Sequence, residues 1–191
     1  MALCLVPAAF LPDAAVWDYN AEWRAAGETL VPAASDLKGR DVAGWRADVL
    51  RMEADPPEGL VPSSLYFLIR ESEGRPLGCL DLRHSLGTDW LRRYGGHVGY
   101  GVRPSERGKG YAKAMLRLCF PLARERGITR LMVGHEEENA ASRAVIHACG
   151  GRNPERVILP DSRVKYRYTL DITEKDGEEG RLCRCHPGPC R

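Results

Sequence analysis

Apolar and polar residues alternate along this chain with two different periods, and the changes of period divide it into strands and helices. In HVGYGV, His97 to Val102, the period is two: Val98, Tyr100 and Val102 share one face, and His97, Gly99 and Gly101 the other. SLYFLIR (Ser64 to Arg70) and PLGCLDLRH (Pro76 to His84) predict a hairpin turning at Glu73 to Arg75, where Gly74 relieves the backbone demand. From Arg107 to Arg126 the period lengthens, with Tyr111, Met115, Leu118 and Leu122 at helical offsets, Pro121 placed to bend the helix and Gly127 to end it. A strand at Arg130 to Gly134 follows, then a helix from about Asn139 to Cys149 closed by Gly150 and Gly151. The strands Arg152 to Ile158 and Val164 to Asp171 read as a closing hairpin.

The patterning is looser before this. A strand at Ala2 to Val6 precedes helical material whose apolar positions include Trp17, Trp23, Trp45, Val49 and Met52. Three prolines between Asp55 and Pro62 require a loop, because proline removes amide donors. Ser85 to Gly95 is polar and reads as irregular. The four tryptophans are expected as packing anchors, with Trp90 alternatively lining an acceptor pocket.

Length and composition narrow the function classes. A chain of 191 residues with 43% hydrophobic content suits one domain, here residues 1–172, followed by a charged, glycine-rich tail over 173–191 that is expected not to pack. The formal charge of +2 offers no global field for nucleic acid or an anionic membrane. No stretch approaches the ~20 apolar residues of a membrane span, and the start lacks a basic signal-peptide region, so a cytoplasmic location is expected. Cys4, Cys79, Cys119 and Cys149 are scattered like small core residues, so disulfides are not expected in the body of the chain. Cys183, Cys185 and Cys190 stand with His186 in the tail, but at no standard zinc spacing, and no metal is expected.

The chemistry concentrates in HVGYGVRPSERGKGYAKAML. A strand ends at Val102, Pro104 breaks it, and a helix is predicted to open on Arg107, Gly108, Lys109 and Gly110. First-turn amides lack intrahelical partners and carry a partial positive potential, so they can hold phosphate, and glycines allow close approach. A P-loop does not fit, because the spacing is too long and Gly110 stands where that motif needs Ser or Thr; GYGVRP is not the dinucleotide fingerprint either.

Val102, Pro104, Arg107, Gly108, Gly110 and Ala112 form V-x-P-x-x-R-G-x-G-x-A, which resembles the acyl-CoA signature of the GNAT acetyltransferase superfamily. Asn139 and Ser142 in ENAASRAVIHACGG resemble its second cofactor-contacting helix. The combination of PSSLYFLI, LRHSL, GGHVGY and NAASRAVI is similar to a group of bacterial predicted acetyltransferases. The resemblance implies an α/β fold with a mixed, strongly twisted sheet flanked by helices, its strand at Val102 splayed from that at Arg130 to Gly134 so that coenzyme A enters between them. It further implies that backbone around Tyr100, Gly101 and Val102 pairs with pantetheine. Amides from Arg107 through Gly108, Lys109, Gly110 and Tyr111 to Ala112 would take the pyrophosphate, with charge added by Arg107 and Lys109, and Asn139 and Ser142 would contact the cofactor.

The implied reaction is direct attack of an amine on acetyl-CoA, with a strand amide near Tyr100 stabilising the oxyanion. The family's usual thiolate-protonating tyrosine corresponds to Ile146, leaving Ser142, water or another segment to serve. For the base, His97 and His84 are candidates because imidazole titrates in the useful range, and Glu136, Glu137 and Glu138 are alternatives for binding or deprotonating the amine. The expected partner is a small-molecule or peptide amine, with no nucleic acid or membrane, and a homodimer left open. The competing expectation is a non-catalytic acyl-CoA-binding or regulatory domain that has lost its proton-transfer groups.

Overall fold

The structure, a computed structural model, describes residues 2–173; the cysteine and histidine cluster in the tail lies outside them. Seven strands, β1 (Leu3–Pro7), β2 (Ser63–Arg70), β3 (Pro76–Arg83), β4 (Val98–Val102), β5 (Arg130–Glu136), β6 (Arg152–Ile158) and β7 (Val164–Asp171), form one sheet in the order β1-β2-β3-β4-β5-β7-β6. All neighbours are antiparallel except β4 and β5, which run parallel with a single register pair, Val98 opposite Val133.

Five helices cover the sheet: α1 (Asp13–Ala25), α2 (Val42–Ala54), α3 (Asp89–Arg93), α4 (Tyr111–Glu125) and α5 (Ala140–Ala148). Strand alternation sends Leu68, Leu80, Leu82 and Val133 into one core with Met115, Leu116 and Ile146 of α4 and α5. The opposite residues, Leu65, Phe67 and Cys79, meet Val16, Tyr19, Trp23 and Trp45 of α1 and α2. There Tyr19 stands edge-on to Phe67, with ring centroids 5.1 Å apart.

Three expectations are corrected. The segment Ser85 to Gly95 is not wholly irregular: Thr88 accepts a hydrogen bond from the Leu91 amide at 3.2 Å and starts α3. The helix expected from Arg107 begins at Tyr111, since Gly108 and Gly110 adopt φ of 77° and 83° and keep the preceding residues out of helical geometry. Trp23 and Trp45 are packing anchors, whereas Trp17 and Trp90 are exposed, because each lies on the outer side of its helix.

Arg103, fully buried just beyond β4, ties the two layers together. It donates from Nε to Glu22 at 2.6 Å, from Nη2 to Asp18 at 2.8 Å and from Nη1 to the Pro76 carbonyl at 3.0 Å. The network holds α1 against the end of the strand that precedes the glycine turn. Truncation of Arg103 to alanine removes a fully buried side chain together with its bonds to Asp18, Glu22 and the Pro76 carbonyl, so it should destabilise the fold by about 3 kcal/mol in urea unfolding.

Candidate active site

The site begins where the sheet splits. The Arg83 amide donates to the His97 carbonyl at 2.8 Å and the Arg103 amide to the Leu77 carbonyl at 3.0 Å, so odd-numbered residues of β4 turn their main chain toward β3. By alternation, Tyr100 and Val102 turn theirs toward β5. Since β5 pairs with β4 only at Val98, those groups face a gap that widens toward the glycine turn.

His97 sits at the apex of this fork. Its amide donates to the Met132 carbonyl at 2.7 Å, and its Nδ1 accepts from the Met132 amide at 2.9 Å. The side chain thus takes a hydrogen bond that a strand would otherwise supply. Burial, with Arg83 and Arg167 nearby, lowers its pKa to about 4. The neutral ring has its one acceptor nitrogen already engaged, a geometry that serves to prop the fork. His84 lies outside the fork, with Nε2 2.8 Å from Ser64 Oγ, which also donates to Glu53 at 2.6 Å and accepts from Arg126 at 2.8 Å. The histidine candidates are therefore not brought together at one reacting point.

At the wide end of the gap lies the turn before α4. Helices α2, α3 and α5 are capped by side chains of Asp41, Thr88 and Asn139, whereas the cap of α4 is Gly110, which has no side-chain acceptor. Among the described residues, the amides from Gly108 through Lys113 have no hydrogen-bond partner. An added Cβ on Gly108 or Gly110 would meet nothing within 4 Å. Orphaned donors on an open, left-handed turn form a concave anion cradle, and this donor set fits a diphosphate.

The neighbouring cations are turned elsewhere. Arg107 donates to both oxygens of Glu28 at 2.9 and 2.7 Å and lies 5.1 Å from the centre of the Trp23 ring, while Lys109 donates to Glu106 at 2.9 Å. Tyr111 is hydrogen-bonded to Arg70. The cradle is consequently a main-chain feature.

On the α5 side of the gap, Asn139 Oδ1 accepts from the Ser142 amide at 2.9 Å and so caps the helix. This places Ser142 Oγ 2.8 Å from the Tyr100 hydroxyl. Burial pushes the Tyr100 phenol up to about 12, with the Ser142 hydrogen bond pulling the other way, so it stays protonated at neutral pH. Ile146 is buried in the core. Of the glutamate run, Glu136 pairs with Arg163 at 2.7 Å and Glu137 accepts from the Tyr166 hydroxyl at 3.3 Å.

The other face of β4 carries only Gly99 and Gly101, and a loop takes advantage of this. The Val31 carbonyl oxygen lies 2.1 Å from where a Gly101 Cβ would be, whereas at Gly99 the nearest atom, Pro32 Cβ, is 3.7 Å away. Gly101 is needed for loop contact and Gly99 leaves room. Alanine at Gly101 must push back the Val31 backbone, and thermal unfolding should register a loss of about 2 kcal/mol.

Beside Gly99, between α2, α3 and the sheet, opens a cavity of about 840 Å³ that reaches Pro32, Trp45, Asp81, Arg83 and Trp90. Asp81, paired in register with Gly99, is only 6% exposed; its Oδ2 lies 3.3 Å from Arg83, and its Oδ1 has no hydrogen-bond partner. Burial raises its pKa, with Arg83 and Ser63 partly offsetting this. Sequence reasoning missed this residue, although an acid within the apolar strand PLGCLDLRH was a usable signal.

Among the described residues, no group of three His, Cys, Asp or Glu side chains could hold a metal ion, and no helix is long and apolar enough to cross a membrane. The fold is shared with enzymes of known structure. The aminoglycoside acetyltransferase AAC(6')-Ib, solved with ribostamycin and coenzyme A, aligns at TM-score 0.63 over 94% of this chain and 99% of its own, at 13% identity. A ribosomal-protein-S5-alanine acetyltransferase of Vibrio fischeri aligns at 0.60 over 90% and 93%, with 14% identity. A putative acetyltransferase of Salmonella typhimurium, solved with acetyl-CoA, aligns at 0.56 over 96% and 100%, with 17% identity. No curated protein matches the sequence. The Acetyltransferase (GNAT) family matches residues 18–150, a span running from α1 through the fork and the glycine turn to the end of α5; with that match, the chain belongs to this family.

Proposed function

We propose that the protein transfers an acetyl group from acetyl-CoA to a primary amine of a small molecule or peptide, by direct attack within the β4/β5 fork. The observation that carries this reading is the continuity of two features: a gap onto which β4 turns its main chain at Tyr100, and the unpartnered amides at the start of α4. The first suits the amide-bearing pantetheine arm, and the second suits its diphosphate. Bound there, acetyl-CoA supplies an activated thioester carbonyl.

The chain's own groups have separate tasks. The main chain of Tyr100 and Val102 orients the arm, and an amide at the fork steadies the oxyanion as charge develops. Ser142, hydrogen-bonded to Tyr100, takes the place of the missing tyrosine as donor toward the leaving sulfur. His97 holds the fork open at a fixed angle. Asn139 contributes by fixing the first turn of α5. Acceptors named for the fold relatives, an aminoglycoside and an S5 alanine, support an amine as the acceptor class.

The test incubates the full chain with acetyl-CoA and a panel of primary amines while free thiol is followed. Amine-dependent thiol release supports transfer. Coenzyme A binding by calorimetry without such release would favour the non-catalytic reading, which rests on buried Ile146 at the usual acid position.

A further inference from the structure

The cavity next to Gly99 has an asymmetric charge pattern. Arg40 is ion-paired with Asp48, and Arg83 engages one oxygen of Asp81 at 3.3 Å. After these pairs are set aside, the lining retains the Asp81 carboxylate, 6% exposed and with no hydrogen-bond partner at Oδ1, and Lys38 and Arg51 in exposed positions. Neither rim cation has a carboxylate within ion-pair distance among the described residues. Trp45 is buried in the wall and Trp90, 54% exposed, stands at the mouth.

We infer that the acceptor is an amine that also carries an anionic group, its ammonium held by the Asp81 carboxylate and its carboxylate or phosphate by Lys38 and Arg51. This rests on the acetyltransferase reading and narrows it. A buried carboxylate with one unpartnered oxygen calls for a donor, and an ammonium gives a charge-assisted hydrogen bond. The two rim cations oppose a polycation and attract an anion. The exposed indole of Trp90 offers an apolar face to the body of the acceptor.

The position suits transfer. Asp81 lies directly across the ladder from Gly99, about 5 Å away at ordinary strand spacing, and Gly99 has no side chain to separate the cavity from the fork. In the reaction the ammonium gives one proton to Asp81, and the free amine forms the C–N bond as the C–S bond breaks. Its second proton goes to the departing thiolate. The net change is ammonium plus thioester to amide plus thiol plus one proton, which Asp81 releases to solvent.

The experiment compares L-phenylalanine, its carboxamide and spermidine as acceptors for the full chain, with coenzyme A affinity measured separately. The amino carboxylate is expected to show a KM at least about 10-fold below that of the carboxamide, equivalent to about 1.4 kcal/mol. The double variant Lys38→Glu, Arg51→Glu should abolish that preference, and a preference that survives it would overturn the placing of the anion on these two cations. Equal KM values, or preference for spermidine, would overturn the charge assignment alone. Failure of every amine to release thiol, with coenzyme A binding intact, would remove the transferase reading and this inference together.

Discussion

Replacing Gly110 with valine is expected to lower the affinity for coenzyme A by on the order of 100-fold, close to 2.7 kcal/mol. Two effects combine. At φ of 83° a β-branched residue is disfavoured, so the turn relaxes and the amides of Gly108 through Lys113 lose their common focus. The new side chain also occupies the open side of the cradle, where an anion must come within hydrogen-bonding distance. Because nothing lies within 4 Å of the added Cβ, the fold itself loses only the backbone term, roughly 1–2 kcal/mol. Calorimetry reads the first quantity and thermal unfolding the second; unchanged affinity would falsify the cradle. Arg107→Ala is the contrasting variant. Its guanidinium is held by Glu28 and Trp23, so its loss should change coenzyme A affinity by less than about 3-fold.

The Asp81→Asn variant should be slower and more stable at once. Loss of the ammonium anchor and proton acceptor is expected to reduce kcat by about 100-fold or more, with coenzyme A affinity unchanged. Its stability effect follows from burial, which raises the Asp81 pKa, so the native state binds a proton more tightly than the unfolded chain. That contribution is fully present below the unfolded carboxylate pKa and is lost as pH rises through the raised native value. Arg83, Ser63 and the thiol of Cys79 are the groups that face this carboxylate. Asparagine has no proton to lose, so the variant's advantage in urea unfolding should be absent in acid, grow with rising pH and level off once the raised native pKa is passed. A wild-type protein more stable than D81N at pH 7 would contradict the assignment of Asp81 as a buried acid whose burial outweighs its pairing with Arg83. Opposite movements of rate and stability are the mark of a group kept for function.

The sheet's strands and the glycine turn were legible because each rests on local chemistry. Period-two alternation marks HVGYGV, and the glycines at 108 and 110 permit the left-handed turn wherever the rest of the chain lies. Helix α4 was placed four residues early because its amphipathic pattern continues into a turn whose backbone the glycines divert. Roles that depend on distant partners were less visible. Whether the His97 imidazole takes a proton or props a strand depends on Met132, and Arg107 looks like a phosphate ligand until Glu28 is brought to it. Asp81 and Arg103 needed the strand pairing and the packing of α1, respectively, to be noticed. The cavity belongs to no single segment, which is why its charge pattern emerges only from the assembled molecule.

The single-pair junction between β4 and β5 also has a thermodynamic meaning. A sheet divided at its middle transmits order poorly from one half to the other, and an arm hydrogen-bonded along β4, as proposed, would bridge that seam. Occupancy should therefore sharpen unfolding as well as delay it, with amide exchange slowing in both leaves at once, so that the cosubstrate serves as the sheet's missing mortar.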